Sequence, residues 1–367
     1  MTYNWCDNQH DMIRWQATLA PGALLFVDTE FMRERTFWSK LALVQVNDGQ
    51  QITLFDPLHI PGECFAELFD AHPIVMHACS EDLEAIKTFS GALPKHIVDT
   101  QVAAALCGEE MQLGYQRIVQ SMLGVELAKG ATRTNWLARP LDAVQLAYAR
   151  DDVAFLPDVY HQLVPRLAQS GRESWLEEEC QRLLQTADKP YQPDRAWRQV
   201  KGAGMLDGQQ LAVLQCLAAW REDVARQRDL PKSFVVRDEQ LIALCQHMPD
   251  TAAGLSENGL HPKVVRRDAP AILALLEQGA SSAPLPPLPG PPDAQQKKTL
   301  KVLRAEVQRI AASLQLKPDL LMRRRWLEAL LRHPERLPDA LLGWRYDVVT
   351  QPLLQLLDVE GGAYVER

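Results

Sequence analysis

The sequence predicts an α/β front, a mixed sheet covered by helices, followed by two all-α helical blocks. Three observations carry that prediction. Residues 1–100 alternate short apolar runs with stretches of helical periodicity. Residues 100–185 hold helical periodicity almost throughout. Ser281–Pro292 places six prolines in twelve residues, which no helix or sheet tolerates, and so divides the helical rear into two blocks.

In order, Ala23–Asp28 reads as a strand, and Leu41–Val46 and Gln51–Phe55 as two more. Between the last two lies Asn47-Asp48-Gly49, a turn signal that predicts a hairpin meander. A helix is expected at Cys64–Ala71, a short apolar strand at Ile74–His77, a helix at Glu81–Phe89 and another short strand at His96–Asp99. The expected domains are 1–186, a polar linker at 187–205, a helical domain at 206–280, a proline-rich linker at 281–294 and a last helical domain at 295–367.

The 367 residues carry 39 Lys+Arg against 47 Asp+Glu, a net charge of −8. An acidic total excludes a protein that coats nucleic acid by bulk charge. The distribution is uneven, however. Residues 1–200 hold 17 basic and 27 acidic side chains, residues 201–367 hold 22 and 20, and the stretch from Gln295 onward holds 13 and 9. An acidic front joined to a mildly basic rear predicts separate jobs. No run approaches the ~20 apolar residues of a membrane span, and the first residues have neither a basic start nor an apolar core of a secretory signal. Seven scattered cysteines with no C-x-x-C predict reduced, mostly buried thiols and a cytoplasmic protein.

Three motifs carry candidate chemistry. In Phe26-Val27-Asp28-Thr29-Glu30-Phe31, strand alternation puts the Asp28 and Glu30 carboxylates on one face. Adjacent anions repel unless a cation lies between them, and hard oxygen ligands select Mg²⁺ or Mn²⁺. In His77-Ala78-Cys79-Ser80-Glu81-Asp82-Leu83, Ser80 suits an N-cap, while Glu81 and Asp82 suit the first helical turn. His77 is expected to be a hydrogen-bonded strand-end residue and not a metal ligand. On a helix begun by Pro140, Tyr148 stacks with Asp152 at i+4, and Asp151 at i+3 is nearly as well placed, so spacing does not choose between the two aspartates. Four carboxylates and a phenol on one cleft suit a two-metal site. Its ions, ~3.5–4 Å apart, clamp the attacking and leaving oxygens of a phosphodiester, and the phenol orients the water.

This order and spacing resembles the DEDD superfamily of 3′→5′ exonucleases, in the subgroup with a tyrosine in its third motif. Asp99-Thr100-Gln101 and Trp136-Leu137-Ala138-Arg139-Pro140-Leu141 extend the likeness, and the front half is similar to the bacterial ribonuclease D family. The resemblance implies a ribonuclease H-like fold for about the first 170 residues. It also implies metal-ligand roles for Asp28, Glu30, Asp82 and Asp152, and water positioning by Tyr148. It selects Asp152 over Asp151. In the rear, Leu217-Ala218-Ala219-Trp220-Arg221, Arg228-Asp229-Leu230-Pro231 and Val236–Leu241 are similar to the HRDC domain. Leu342-Gly343-Trp344-Arg345 with Pro352-Leu353-Leu354 is similar to a second, more divergent HRDC-like bundle.

The expected activity is hydrolysis of RNA from its 3′ end with two divalent ions, Mg²⁺ or Mn²⁺, releasing nucleoside 5′-monophosphates. The family implies tRNA precursors and other small structured RNAs as substrates. A DNA 3′→5′ exonuclease and a non-catalytic RNA-binding adaptor are the alternatives. Lys297, Lys301 and Arg304 form one basic stripe at i, i+4, i+7, and Arg323, Arg324 and Arg325 a second cluster, both candidates for phosphate contact. Trp220 and Trp344 lie in apolar helical patterns and are expected in cores, not as base-stacking platforms. No membrane partner is expected, and the chain is read as a monomer.

Overall fold

Six strands form one mixed sheet in the order β1–β4–β3–β2–β5–β6: β1 (Asn4–Cys6), β2 (Leu25–Met32), β3 (Lys40–Asn47), β4 (Ile52–Phe55), β5 (Ile74–Met76) and β6 (Ile97–Asp99). This computed structural model describes residues 2–128 and 134–361. The predicted meander is present, with β2–β3 and β3–β4 antiparallel and the β3–β4 turn closed over Asp48 and Gly49. Asp48 Oδ1 accepts from the backbone N–H of Gln50 and Gln51, and Gly49 supplies the positive φ of +89°. β1 is absent from the sequence expectation because three residues are too short to show a period. It is recruited by parallel pairing to β4, Asn4 opposite Thr53.

β2 is central and longer than predicted. Leu25 and Val27 are fully buried, as are Val44 and Val46 on β3, and each such side chain contributes about 1.5–3 kcal/mol. β5 runs parallel to β2, and β6 parallel to β5. The carboxyl ends of β2 and β5 therefore open on the same edge, where α/β sheets place their sites. One face of β2, β3 and β4 is covered by the helix Ala143–Ala154, and β2 and β3 also pack against the helix Ser80–Ser90.

The chain divides into two compact units. The first holds residues 1–32, 40–188 and 292–367. Its last block, Ala294–Leu314 through Gln351–Gly361, is not the domain of its own that the sequence predicts. It instead enters the core of the sheet unit through Leu300, Leu303, Val307 and Trp344. Trp344 stacks on Trp175 with centroids 4.4 Å apart, and Arg345 pairs with Glu179. Residues 362–367, the end of that expected domain, lie outside the described residues.

The second unit, residues 189–291 with 33–39, is helical. Residues 187–205 are not the plain linker that their polarity predicts, since Pro193–Gln199 and Ala203–Met205 are 3₁₀ turns that bury Trp197, Val200 and Ala203 in this unit's core. The long helices Gly208–Gln227 and Pro262–Ser281 meet at Gly279, where a Cβ would fall 2.5 Å from the Val213 Cα, so only glycine permits the approach. The proline-rich segment is irregular, as expected. It is tied down where the Leu285 N–H donates to the Gly208 carbonyl at 2.9 Å. No helix among the described residues is long and apolar enough to cross a membrane.

Candidate active site

Asp28 and Glu30 leave β2 on the face covered by Ala143–Ala154, and that helix brings Asp152 to meet them. One oxygen from each of the three carboxylates lies within 4.8 Å of the others. The charges that act on Asp28, Glu30 and Asp152 are those of neighbouring carboxylates. Burial, then Asp152, Asp82 and Glu30, hold the Asp28 carboxyl well above the usual carboxylate range. Burial and the charges of Asp152 and Asp82 push Glu30 up to about 9. Asp152 is also raised, by burial first, while a hydrogen bond from the Tyr148 phenol works the other way. Hard oxygen donors withdrawn from water and mutually repelling fit a divalent cation.

Asp82 reaches the cleft from the helix Ser80–Ser90 but stands apart from the group of three. Its Oδ1 accepts from Thr29 Oγ1 at 2.6 Å. Burial raises its carboxyl and this hydrogen bond opposes the rise. Ser80 is not the N-cap that its chemistry suggests. It is the first helical residue, and no side chain caps this end. The turn is held from β6 instead. Asp99 accepts from the N–H groups of Ala78 and Cys79 at 3.0 Å each, and fixes Ala78 at φ +59°, a strained position for a residue with a Cβ. The same carboxylate caps the next helix through Gln101 and Val102. His77 is hydrogen-bonded as expected, Nδ1 to Thr100 Oγ1 at 2.9 Å and Nε2 to the Leu113 carbonyl at 2.8 Å.

The helix that carries Tyr148 and Asp152 begins at Ala143, three residues after Pro140, capped reciprocally by Asp142 and Gln145. Asp151, which spacing leaves open, is engaged by Arg150 at 2.6 Å and lies outside the three-carboxylate group. Beside Tyr148 and Asp152 opens a pocket of about 260 Å³ with Leu127, Val144 and Ala147 in its wall. A larger hollow of about 550 Å³ runs along Asn4, Asn47 and Gln51, but its one carboxylate is Asp158.

Residues 3–168 match the family model described as 3′-5′ exonuclease, and residues 210–276 match the HRDC domain. Ribonuclease D of Pseudomonas paraeruginosa is 40% identical over 351 residues, covering 91% of this chain and 92% of that one. The chain belongs to the ribonuclease D family. Ribonuclease D of Escherichia coli is 35% identical over 350 residues, covering 90% and 92%. The crystal structure of Escherichia coli RNase D, described as an exoribonuclease involved in structured RNA processing, superimposes with a TM-score of 0.91 at 31% identity, covering 98% of this chain and 99% of that one. The ribonuclease D membership makes this chain a 3′→5′ nuclease, and the family implies divalent metal ions at its acids.

Within this ribonuclease D fold, sequence reasoning misses Tyr115. Its hydroxyl donates to the Asp151 carbonyl at 3.2 Å and accepts from the Phe155 N–H at 3.3 Å, so it brackets Asp152 from both sides. No local signal marks it, since the hydrogen bonds span 36 and 40 residues. Lys297, Lys301 and Arg304 are all exposed on one helix and form no ion pair among the described residues. Arg324 instead pairs with Glu328 at 2.8 Å, while Arg323 and Arg325 flank the Trp326 ring. All seven cysteines are free thiols, five of them buried.

Proposed function

We propose that Asp28, Glu30, Asp82 and Asp152 hold two divalent ions, Mg²⁺ or Mn²⁺, and that Tyr148 orients the water that cleaves the 3′-terminal phosphodiester of RNA. The observation that carries this reading is the convergence of Asp28, Glu30 and Asp152 within 4.8 Å on a ribonuclease D chain. Bound divalent ions supply the positive charge that activates the water and stabilises the transferring phosphate and the leaving 3′-oxygen. The chain's own contribution is placement. β2 fixes two ligands on one face, and the helix Ala143–Ala154 adds the third. The Tyr148 phenol is kept protonated by burial and by the surrounding acids, so it remains a neutral hydrogen-bonding group beside Asp152.

The products are nucleoside 5′-monophosphates, and the substrates are tRNA precursors and other small structured RNAs, in line with the structured RNA processing ascribed to the Escherichia coli relative. Lys297, Lys301 and Arg304 contact substrate phosphates, with Arg323, Arg324 and Arg325 as a second basic cluster. Residues 1–186 form the nuclease domain and 206–280 the HRDC domain, with 295–367 as a second HRDC-like bundle built onto the nuclease unit. The chain works as a cytoplasmic monomer. Release of mononucleotides from 3′-labelled RNA on addition of Mn²⁺ is the test, with Asp28→Ala and Asp152→Ala as inactive, folded controls. Near wild-type activity in either variant would overturn the ligand assignment.

A further inference from the structure

Thr29 stands between the two acids of β2 and faces the other way. Asp28 and Glu30 turn toward the helix Ala143–Ala154, and strand alternation turns Thr29 toward the helix Ser80–Ser90. There its hydroxyl, on a residue only 6% exposed, donates to Asp82 Oδ1 at 2.6 Å, the short distance of a charge-assisted hydrogen bond. The partners lie 53 residues apart in sequence. One strand thus carries two acids of the cleft and grips a third through the residue between them.

The grip matters because Asp82 is the acid that the fold places least directly. Asp28 and Glu30 are set side by side by strand alternation and Asp152 joins them from the helix Ala143–Ala154, whereas Asp82 lies in the first turn of a helix with no side-chain cap and outside the group of three. Its carboxylate is withdrawn from water, and the side-chain hydrogen bond that holds it comes from Thr29. We propose that Thr29 is a positioning residue for Asp82, its hydroxyl selecting the rotamer that turns the carboxylate into the cleft. This rests on the reading of the four acids as metal ligands. A purely structural role would need only a buried β-branched side chain on β2, which valine supplies equally well.

The test is titration of the metal-free full chain with Mn²⁺, followed by calorimetry and by electron paramagnetic resonance, which count bound ions without any turnover. The wild type is expected to take up two ions. Thr29→Val weakens the second uptake step about 10- to 100-fold, as removal of an outer partner of a metal ligand does, and leaves the first step and the melting temperature unchanged. Thr29→Ser, which keeps the hydroxyl, binds as the wild type does. In an Asp82→Asn background, Thr29→Val adds no further loss, because the hydroxyl acts only through that carboxylate. Wild-type binding by Thr29→Val, or equal losses in Thr29→Val and Thr29→Ser, overturns the role of Thr29 alone. A wild-type chain that takes up no Mn²⁺ overturns the ligand reading itself.

Discussion

Arg139 grips Asp56 with two donors, Nε to Oδ2 at 2.6 Å and Nη2 to Oδ1 at 2.7 Å, across 83 residues of chain. The Asp56 side chain is 1% exposed, and the remaining Arg139 donors satisfy the carbonyls of Ala42, Trp136 and Ala138. The pair fastens the segment that leads into the helix of Tyr148 and Asp152 to the end of β4. Within the Trp-Leu-Ala-Arg-Pro motif, Arg139 is therefore scaffolding for the cleft.

Arg139→Met strands a buried carboxylate and is expected to cost about 3–5 kcal/mol of stability, read by urea denaturation. Burial alone would raise the Asp56 carboxyl, but Arg139, the Leu58 N–H and the His59 ring hold it below the usual range. Its folded value is depressed, so its contribution is present above about pH 4 and is lost as pH falls through the folded value. An Asp56→Asn variant whose stability matches the wild type at pH 7 would contradict this account.

Asp28→Asn removes a carboxyl whose charged form burial and the neighbouring acids disfavour. The metal-free variant should melt no lower than the wild type at pH 8, while the stabilisation that Mn²⁺ gives the wild type disappears. Differential scanning fluorimetry with and without Mn²⁺ reads both. A large drop in the metal-free melting temperature would show that Asp28 serves the fold.

Glu30 sets a pH dependence of the opposite sign to that of Asp56. Its folded value of about 9 lies above the unfolded one near 4.5, so between those limits the folded metal-free chain holds the extra proton and stability falls as pH rises. Glu30→Gln should flatten that fall. Because the cation requires deprotonated ligands, Mn²⁺ binding should tighten from pH 6 to 9 and release protons, measurable by calorimetry in two buffers of different ionisation enthalpy. Metal affinity independent of pH would count against this electrostatic picture.

Tyr148→Phe should slow single-turnover hydrolysis by about 10²-fold, with RNA affinity and Mn²⁺ uptake unchanged, if the phenol orients the water. An unchanged single-turnover rate removes that role.

Replacing Lys297, Lys301 and Arg304 by alanine should weaken RNA binding and flatten its salt dependence by about 0.7 in slope for each phosphate no longer neutralised. The maximal rate at saturating RNA should hold. A slope equal to that of the wild type would mean that the stripe is only a solvated helix face.

The sheet meander, the acids of β2 and the tyrosine helix are legible in the sequence because each is written in local periodicity or i, i+2 and i, i+4 spacing. What stays hidden is long-range. β1 exists only by pairing with β4, Tyr115 acts across 36 residues and Thr29 across 53. Ser80 has the chemistry of a cap, yet Asp99 on β6 holds that turn. The proline-rich segment correctly marks a break in the helices. It does not reveal that the helices beyond it return to the core of the nuclease unit, since that depends on Trp344, Arg345 and their partners on Glu173–Ala187.

The most direct test follows one RNA labelled at its 3′ end and the same RNA labelled at its 5′ end, with Mg²⁺ or Mn²⁺, beside a matched DNA. The 3′ label is expected to leave at once as a nucleoside 5′-monophosphate, and the 5′-labelled strand to shorten stepwise. Both should be abolished by chelation and by Asp152→Ala, and the DNA should be degraded more slowly. Release of internal fragments, digestion that survives chelation, or DNA cleaved as readily as RNA would contradict it.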